Sequence, residues 1–141
     1  MSKVAVVYWS GTGNTEAMAM AVAEGAKNAG ADTEIFTAAE FQASMAAGYD
    51  AIAFGCPAMG DEVLEEDEFE PMFQACTAQL KNKKIAIFGS YGWGDGEWMR
   101  RWEEDCRSLD LNLVADGLIC NEMPDEDGLE QCRSLGAQLS K

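Results

Sequence analysis

Apolar positions fall in short runs, separated by stretches in which they recur with helical spacing. Lys3–Trp9 (KVAVVYW) is an almost unbroken apolar run, the pattern of a strand buried on both faces. Asn14–Asn28 follows with Met18, Ala21, Val22 and Gly25 on one helical face, and Gly30 reads as its stop. Asp32–Phe36 reads as a second strand, Ala38–Ala46 as a short helix, and Ala51–Gly55 as a third strand introduced by Gly48 and Asp50. Phe69–Leu80 is helical, with Phe69, Phe73 and Cys76 at core spacing, and Lys84–Ser90 is a fourth apolar strand. Gly96–Leu109 is helical and carries Trp98, Met99 and Trp102. Leu111–Ala115 and Leu118–Cys120 read as one broken strand, and Leu129–Leu139 closes the chain as a helix. This alternation predicts an α/β fold, with a parallel sheet covered by helices on both faces.

The composition narrows the function. With 141 residues, 48% of them hydrophobic, the chain suits one domain, spanning 1–141, with a real core. A net charge of -15 argues against nucleic acid and anionic membrane and favours partners with basic docking surfaces. No apolar run approaches the ~20 residues of a membrane span. One lysine and then a strand at the N-terminus do not read as a signal peptide. Five cysteines without a CxxC pair weigh against disulfide, zinc and iron–sulfur frameworks, and suit reduced thiols in a cytoplasm. The absence of histidine removes histidine-dependent hydrolases and haem-histidine ligation.

Ligands of parallel sheets bind beyond the C-terminal strand ends, so the loops after each strand carry the chemistry. The first is Ser10-Gly11-Thr12-Gly13-Asn14-Thr15, which offers hydroxyls and amides to an anion at a helix N-terminus. A Walker loop would need a lysine after Gly13, and a dinucleotide fingerprint would need glycine at Glu16. Simple capping by Asn14 or Thr12 is the plainer alternative. A phosphate bound without a cation is anchored rather than transferred. After the third strand, Gly55-Cys56-Pro57-Ala58-Met59-Gly60-Asp61-Glu62 contains a peptide free to flip at Gly60 and an acceptor for a ring N–H at Glu62. After the fourth, Ser90-Tyr91-Gly92-Trp93-Gly94-Asp95-Gly96 sets Trp93 among glycines as a stacking plate, whereas Trp9, Trp98 and Trp102 read as core or rim. Phosphate cup, flexible peptide and aromatic plate together suit a planar heterocycle with a monophosphate tail, and FMN fits.

Over essentially its full length the chain resembles the flavodoxins, and among them the short-chain flavodoxins of anaerobic bacteria. The resemblance rests on YWSGTGNTEAMA at 8–19, GCPAMGDEVLEEDEFEP at 55–71, GSYGWGDGEWM at 89–99 and NEMPDE at 121–126. It implies a doubly wound, five-stranded parallel sheet of order 2-1-3-4-5. It also implies a low-potential one-electron carrier, not an enzyme, that links redox enzymes in place of ferredoxin, as a cytoplasmic monomer. FMN would be held without a covalent bond by Ser10, Gly11, Thr12, Gly13, Asn14 and Thr15 at the phosphate. At the ring the resemblance implies Pro57, Ala58, Met59, Gly60, Asp61, Glu62, Ser90, Tyr91, Gly92, Trp93, Gly94 and Asn121. Met59 and Trp93 would flank the ring. The Gly60 carbonyl would turn toward N5–H in the semiquinone, and Glu62 would accept from N3–H. Pro57 stands where some relatives place a phosphate-binding serine.

Reduction leaves negative charge on the ring, and seven acids (Asp61, Glu62, Glu65, Glu66, Asp67, Glu68 and Glu70) lie on the adjoining segment. A carboxylate roughly 10 Å away, at an effective dielectric near ~40, costs about 0.8 kcal/mol, or roughly 35 mV for one electron. The same acids read as a solvated face and, clustered, as a docking rim. Two rivals share the fold class. A phosphorelay receiver needs acids after the first strand and an aspartate ending the third, where this chain has Trp9-Ser10 and Gly55-Cys56. A flavoenzyme needs a substrate pocket and usually a nicotinamide site, for which no basic residue is at hand near the loops.

Overall fold

In a computed structural model that describes residues 2–59, 63–92 and 94–141, six strands alternate with four helices. The strands are β1 (Lys3–Tyr8), β2 (Asp32–Thr37), β3 (Ala51–Gly55), β4 (Lys84–Tyr91), β5 (Asn112–Leu113) and β6 (Leu118–Asn121). The helices are α1 (Asn14–Asn28), α2 (Phe69–Cys76), α3 (Glu97–Ser108) and α4 (Glu126–Leu139). All pairings are parallel, in the order β2-β1-β3-β4-β5, with β6 also on β4. β5 pairs with Lys84 and Ile85 at the start of β4, and β6 with Phe88–Tyr91 at its end. The sheet thus has five positions, the fifth shared by two short strands, as the broken apolar pattern predicts.

The strands alternate between two cores because successive side chains point to opposite faces. Ala5, Val7, Ile52, Phe54, Ile85 and Ile87 pack with α2 and α3, where Phe54, Phe69, Phe73 and Trp102 form an edge-to-face cluster. Val4, Val6, Tyr8, Ala53 and Phe88 pack with α1 and α4 on the other side. There Gly136 lies against the Val22 backbone and Gly25 against the Arg133 backbone, with no room for a Cβ on either. Among the described residues, no helix is long and apolar enough to cross a membrane.

Strand β5 is shorter than the expected Leu111–Ala115, several ends shift by one residue, and three elements differ from the sequence pattern by three residues or more. The helix expected over Ala38–Ala46 is a 3₁₀ turn at Ala43–Gly48. Gln42 is extended (φ -119, ψ 153), and Phe41 is drawn into a trio with Phe36 and Tyr49, so core packing overrides the alanine-rich composition. Helix α2 ends at Cys76 and tightens to a 3₁₀ turn over Thr77–Gln79, instead of running to Leu80. Helix α4 starts at Glu126, earlier than the expected Leu129, because the Asp125 carboxylate accepts the Gly128 N–H at 2.8 Å.

Candidate functional site

Because every strand is parallel, all the C-terminal ends meet at one edge, and β1 and β3 are neighbours whose connections leave in opposite directions along the sheet. A cleft of 620 Å³ opens there. Trp9, Gly11, Thr12 and Asn14 line it after β1; Pro57, Ala58 and Met59 after β3; Ser90, Tyr91 and Gly92 at the end of β4; and Glu122 and Met123 after β6. Its size is that of a small-molecule pocket. The cleft lining contains no lysine or arginine among the described residues, and all four arginines of the chain sit in ion pairs with carboxylates elsewhere.

The loop after β1 forms a cup whose parts are divided between holding the loop and facing the cleft. Gly13 precedes α1 in the left-handed region (φ 96) and has no side chain to cap with, and neither Asn14 nor Thr12 accepts a first-turn amide; Ser10 does so instead. Ser10 turns its hydroxyl inward, and Oγ accepts the N–H groups of Gly13 at 3.0 Å and Glu16 at 3.3 Å. Thr15 is buried, and its hydroxyl meets the Ser90 hydroxyl at 2.7 Å, which ties α1 to the end of β4. The amides of Gly11, Thr12, Asn14 and Thr15 have no protein acceptor among the described residues. Orphan donors at the positive end of a 15-residue helix make an anion site.

The loop after β3 is fixed by two long-range bonds and a local one. Ala58 N–H donates to Ser90 O at 3.0 Å, Met59 N–H to Val63 O at 3.1 Å, and the Trp98 indole N–H to Cys56 O at 3.1 Å. Trp98 and Trp102 are core residues, each 1% exposed. Burial pushes the Cys56 thiol up to about 12, against the opposing bond from Glu65 N–H, so it stays protonated and unreactive. Gly94 adopts φ 83, a conformation open to glycine but costly for other residues. Gly60, Asp61, Glu62 and Trp93, expected at the ring, lie outside the described residues. Asn121 ends β6 opposite Tyr91 but does not line the cleft; the next two residues, Glu122 and Met123, do.

One acid of the expected surface cluster has another role. Glu65 is 5% exposed, and its carboxylate accepts the N–H groups of Asp67 (2.9 Å), Glu68 (2.7 Å) and Phe69 (2.8 Å). Desolvation, the largest influence on it, raises its pKa, but the three amides together outweigh desolvation and hold the carboxyl below its ordinary value. Sequence reasoning missed this, and it also missed Trp9, Glu122 and Met123 as cleft residues. Their only available signal was adjacency: Trp9 directly precedes the cup, and Glu122 and Met123 directly follow Asn121.

Comparison with known proteins decides the family. The flavodoxin family model matches residues 6–136. The chain belongs to the flavodoxin family. It is 44% identical to a flavodoxin of Megasphaera elsdenii over 98% of either chain, and 42% identical to a flavodoxin of Clostridium beijerinckii over 96% of this chain and 97% of that one. The solution structure of two-electron reduced Megasphaera elsdenii flavodoxin superposes with a TM-score of 0.89, at 44% identity, covering 97% of this chain and 98% of that one. As a member of the flavodoxin family the chain is a low-potential electron-transfer protein that carries FMN and serves redox partners, and it is not an enzyme.

Proposed function

We propose that residues 1–141 act as one FMN-binding unit, with the phosphate in the cup after β1 and the ring in the cleft formed after β3, β4 and β6. The observation that carries this reading is the junction of unpartnered amides with a cleft of small-molecule size whose described lining carries no cation. When bound, FMN supplies the one-electron chemistry. The chain supplies the rest. The amides of Gly11, Thr12, Asn14 and Thr15, with the Thr12 hydroxyl and the α1 dipole, bind the phosphate. Ser10 and Gly13 keep those amides turned outward, and Thr15 and Ser90 fix the cup to the ring side. Pro57 contributes shape rather than a hydroxyl.

Met59 and Trp93 would flank the ring, and Ala58, Tyr91, Gly92 and Gly94 would help to exclude water from it. In this reading the Gly60 carbonyl would accept from ring N5–H, Glu62, next to Asp61, would accept from N3–H, and Asn121, which ends β6 without lining the cleft, would lie no nearer than the ring edge. The acids beyond the ring, among them the exposed Glu66, Asp67, Glu68, Asp95 and Glu122, disfavour added negative charge and keep the potential low. They also favour basic docking surfaces on partner enzymes. The chain acts as a monomer in the cytoplasm, in place of ferredoxin.

Stepwise reduction of the FMN-loaded protein tests this. Two separate one-electron steps are expected, the second below the potential of free FMN and rising with salt as the acids are screened. A single two-electron step at the potential of free FMN would refute it.

A further inference from the structure

Glu65 lies outside the cleft, yet the segment it organises is bonded to cleft residues on two sides. Its carboxylate caps the start of α2 through the amides of Asp67, Glu68 and Phe69, which are orphan donors of a helix N-terminus. In the other direction, its own N–H donates to the Cys56 thiol at 3.3 Å, next to Pro57. Val63, two residues earlier, accepts the Met59 N–H at 3.1 Å. Glu68, whose amide Glu65 holds, accepts the Trp9 indole N–H at 3.0 Å. Met59 lines the cleft on its β3 side and Trp9 on its β1 side. A buried carboxylate is tolerated only where it is fully hydrogen-bonded, and here every bond pins a backbone group of the segment joining those walls.

We propose that Glu65 is a positioning residue of the flavin site, setting the separation of Met59 and Trp9 by fixing residues 63–69 between them. This rests on the reading that the cleft holds FMN. It assigns Glu65 a role different from its exposed neighbours Glu66 and Asp67, which act on the ring only by charge.

The experiment compares Glu65→Gln, Glu68→Ala and Glu66→Gln with the wild-type protein by titration with FMN and with riboflavin, at low salt and at high salt. Glu65→Gln keeps the size but loses one acceptor oxygen. It should weaken both ligands by about tenfold, the order of one lost charge-assisted bond, and the loss should persist at high salt. Glu66→Gln removes an equal charge from the same segment and should weaken neither ligand; any gain it brings in FMN affinity should vanish at high salt. Glu68→Ala should weaken both ligands less than Glu65→Gln. Because the Glu68 side chain is exposed, this variant carries the test if Glu65→Gln does not fold. Wild-type affinity in Glu65→Gln, or in Glu68→Ala where that variant carries the test, overturns the positioning role, as does a loss abolished by salt. If the wild-type chain itself takes up neither ligand, the reading of the cleft fails as well, and the two failures are thereby distinguished.

Discussion

The cup after β1 and the loop after β3 face each other across one cleft, but they are built differently. The cup is held by its own residues, through Ser10 bonded to Gly13 and Glu16 within a span of six positions. The loop after β3 is held from other elements by Ser90 on β4 and Trp98 on α3, and from its own connection by Val63 and the buried Glu65. The cup is thus a local device, while the opposite wall depends on the whole fold. Damage to the first should affect phosphate recognition with little loss of stability, and damage to the second should affect stability and ring binding together.

The largest expected effect tests the non-local side. Glu65→Ala leaves three amides without their acceptor and should destabilise the fold by about 3 kcal/mol, read as a lower urea midpoint. Ser10→Ala, in the cup, should cost only ~1 kcal/mol. Equal losses would erase the contrast. The same carboxylate has a pH signature. Its folded pKa lies below the unfolded value of about 4.3, so its contribution is full above that value and is lost as pH falls through the folded pKa. Acid destabilisation should therefore be shallower in Glu65→Gln, and an unchanged pH profile would remove the carboxylate from the account.

The local side has its own probe. Gly13→Ala places a Cβ at φ 96, a strain of about 1 kcal/mol. It should weaken FMN roughly fivefold while leaving riboflavin binding unchanged; a parallel loss of both would show that the cup also shapes the ring side. The smallest effect falls on the joint between the two regions. Thr15→Val breaks the bond to Ser90 and should cost at most about 1 kcal/mol of stability, with a slight weakening of both ligands.

What the chain disclosed in advance follows the same division. The cup and α1 (Asn14–Asn28) were legible because their determinants are contiguous: an apolar run, glycines and hydroxyls, and then helical spacing. The break in the fifth strand was legible from polar Asp116 and Gly117 between Leu113 and Leu118. The turn at Ala43–Gly48 was hidden, since alanines favour helix and only the packing of Phe41 with Phe36 and Tyr49 prevents it. Glu65 was hidden among seven acids because nothing in sequence separates a solvated carboxylate from one folded back onto Phe69. Trp9 read as core or rim, and its bond to Glu68 spans 59 residues.

The central claim is that a neutral cup of backbone donors anchors a flavin by its phosphate. Parallel titrations of the flavin-free protein with FMN and with riboflavin test it most directly. One FMN per chain is expected, bound at least ~100-fold more tightly than riboflavin, as several charge-assisted hydrogen bonds to a phosphate require. Equal affinity for the two flavins, or FMN affinity insensitive to Gly13→Ala, would contradict the account.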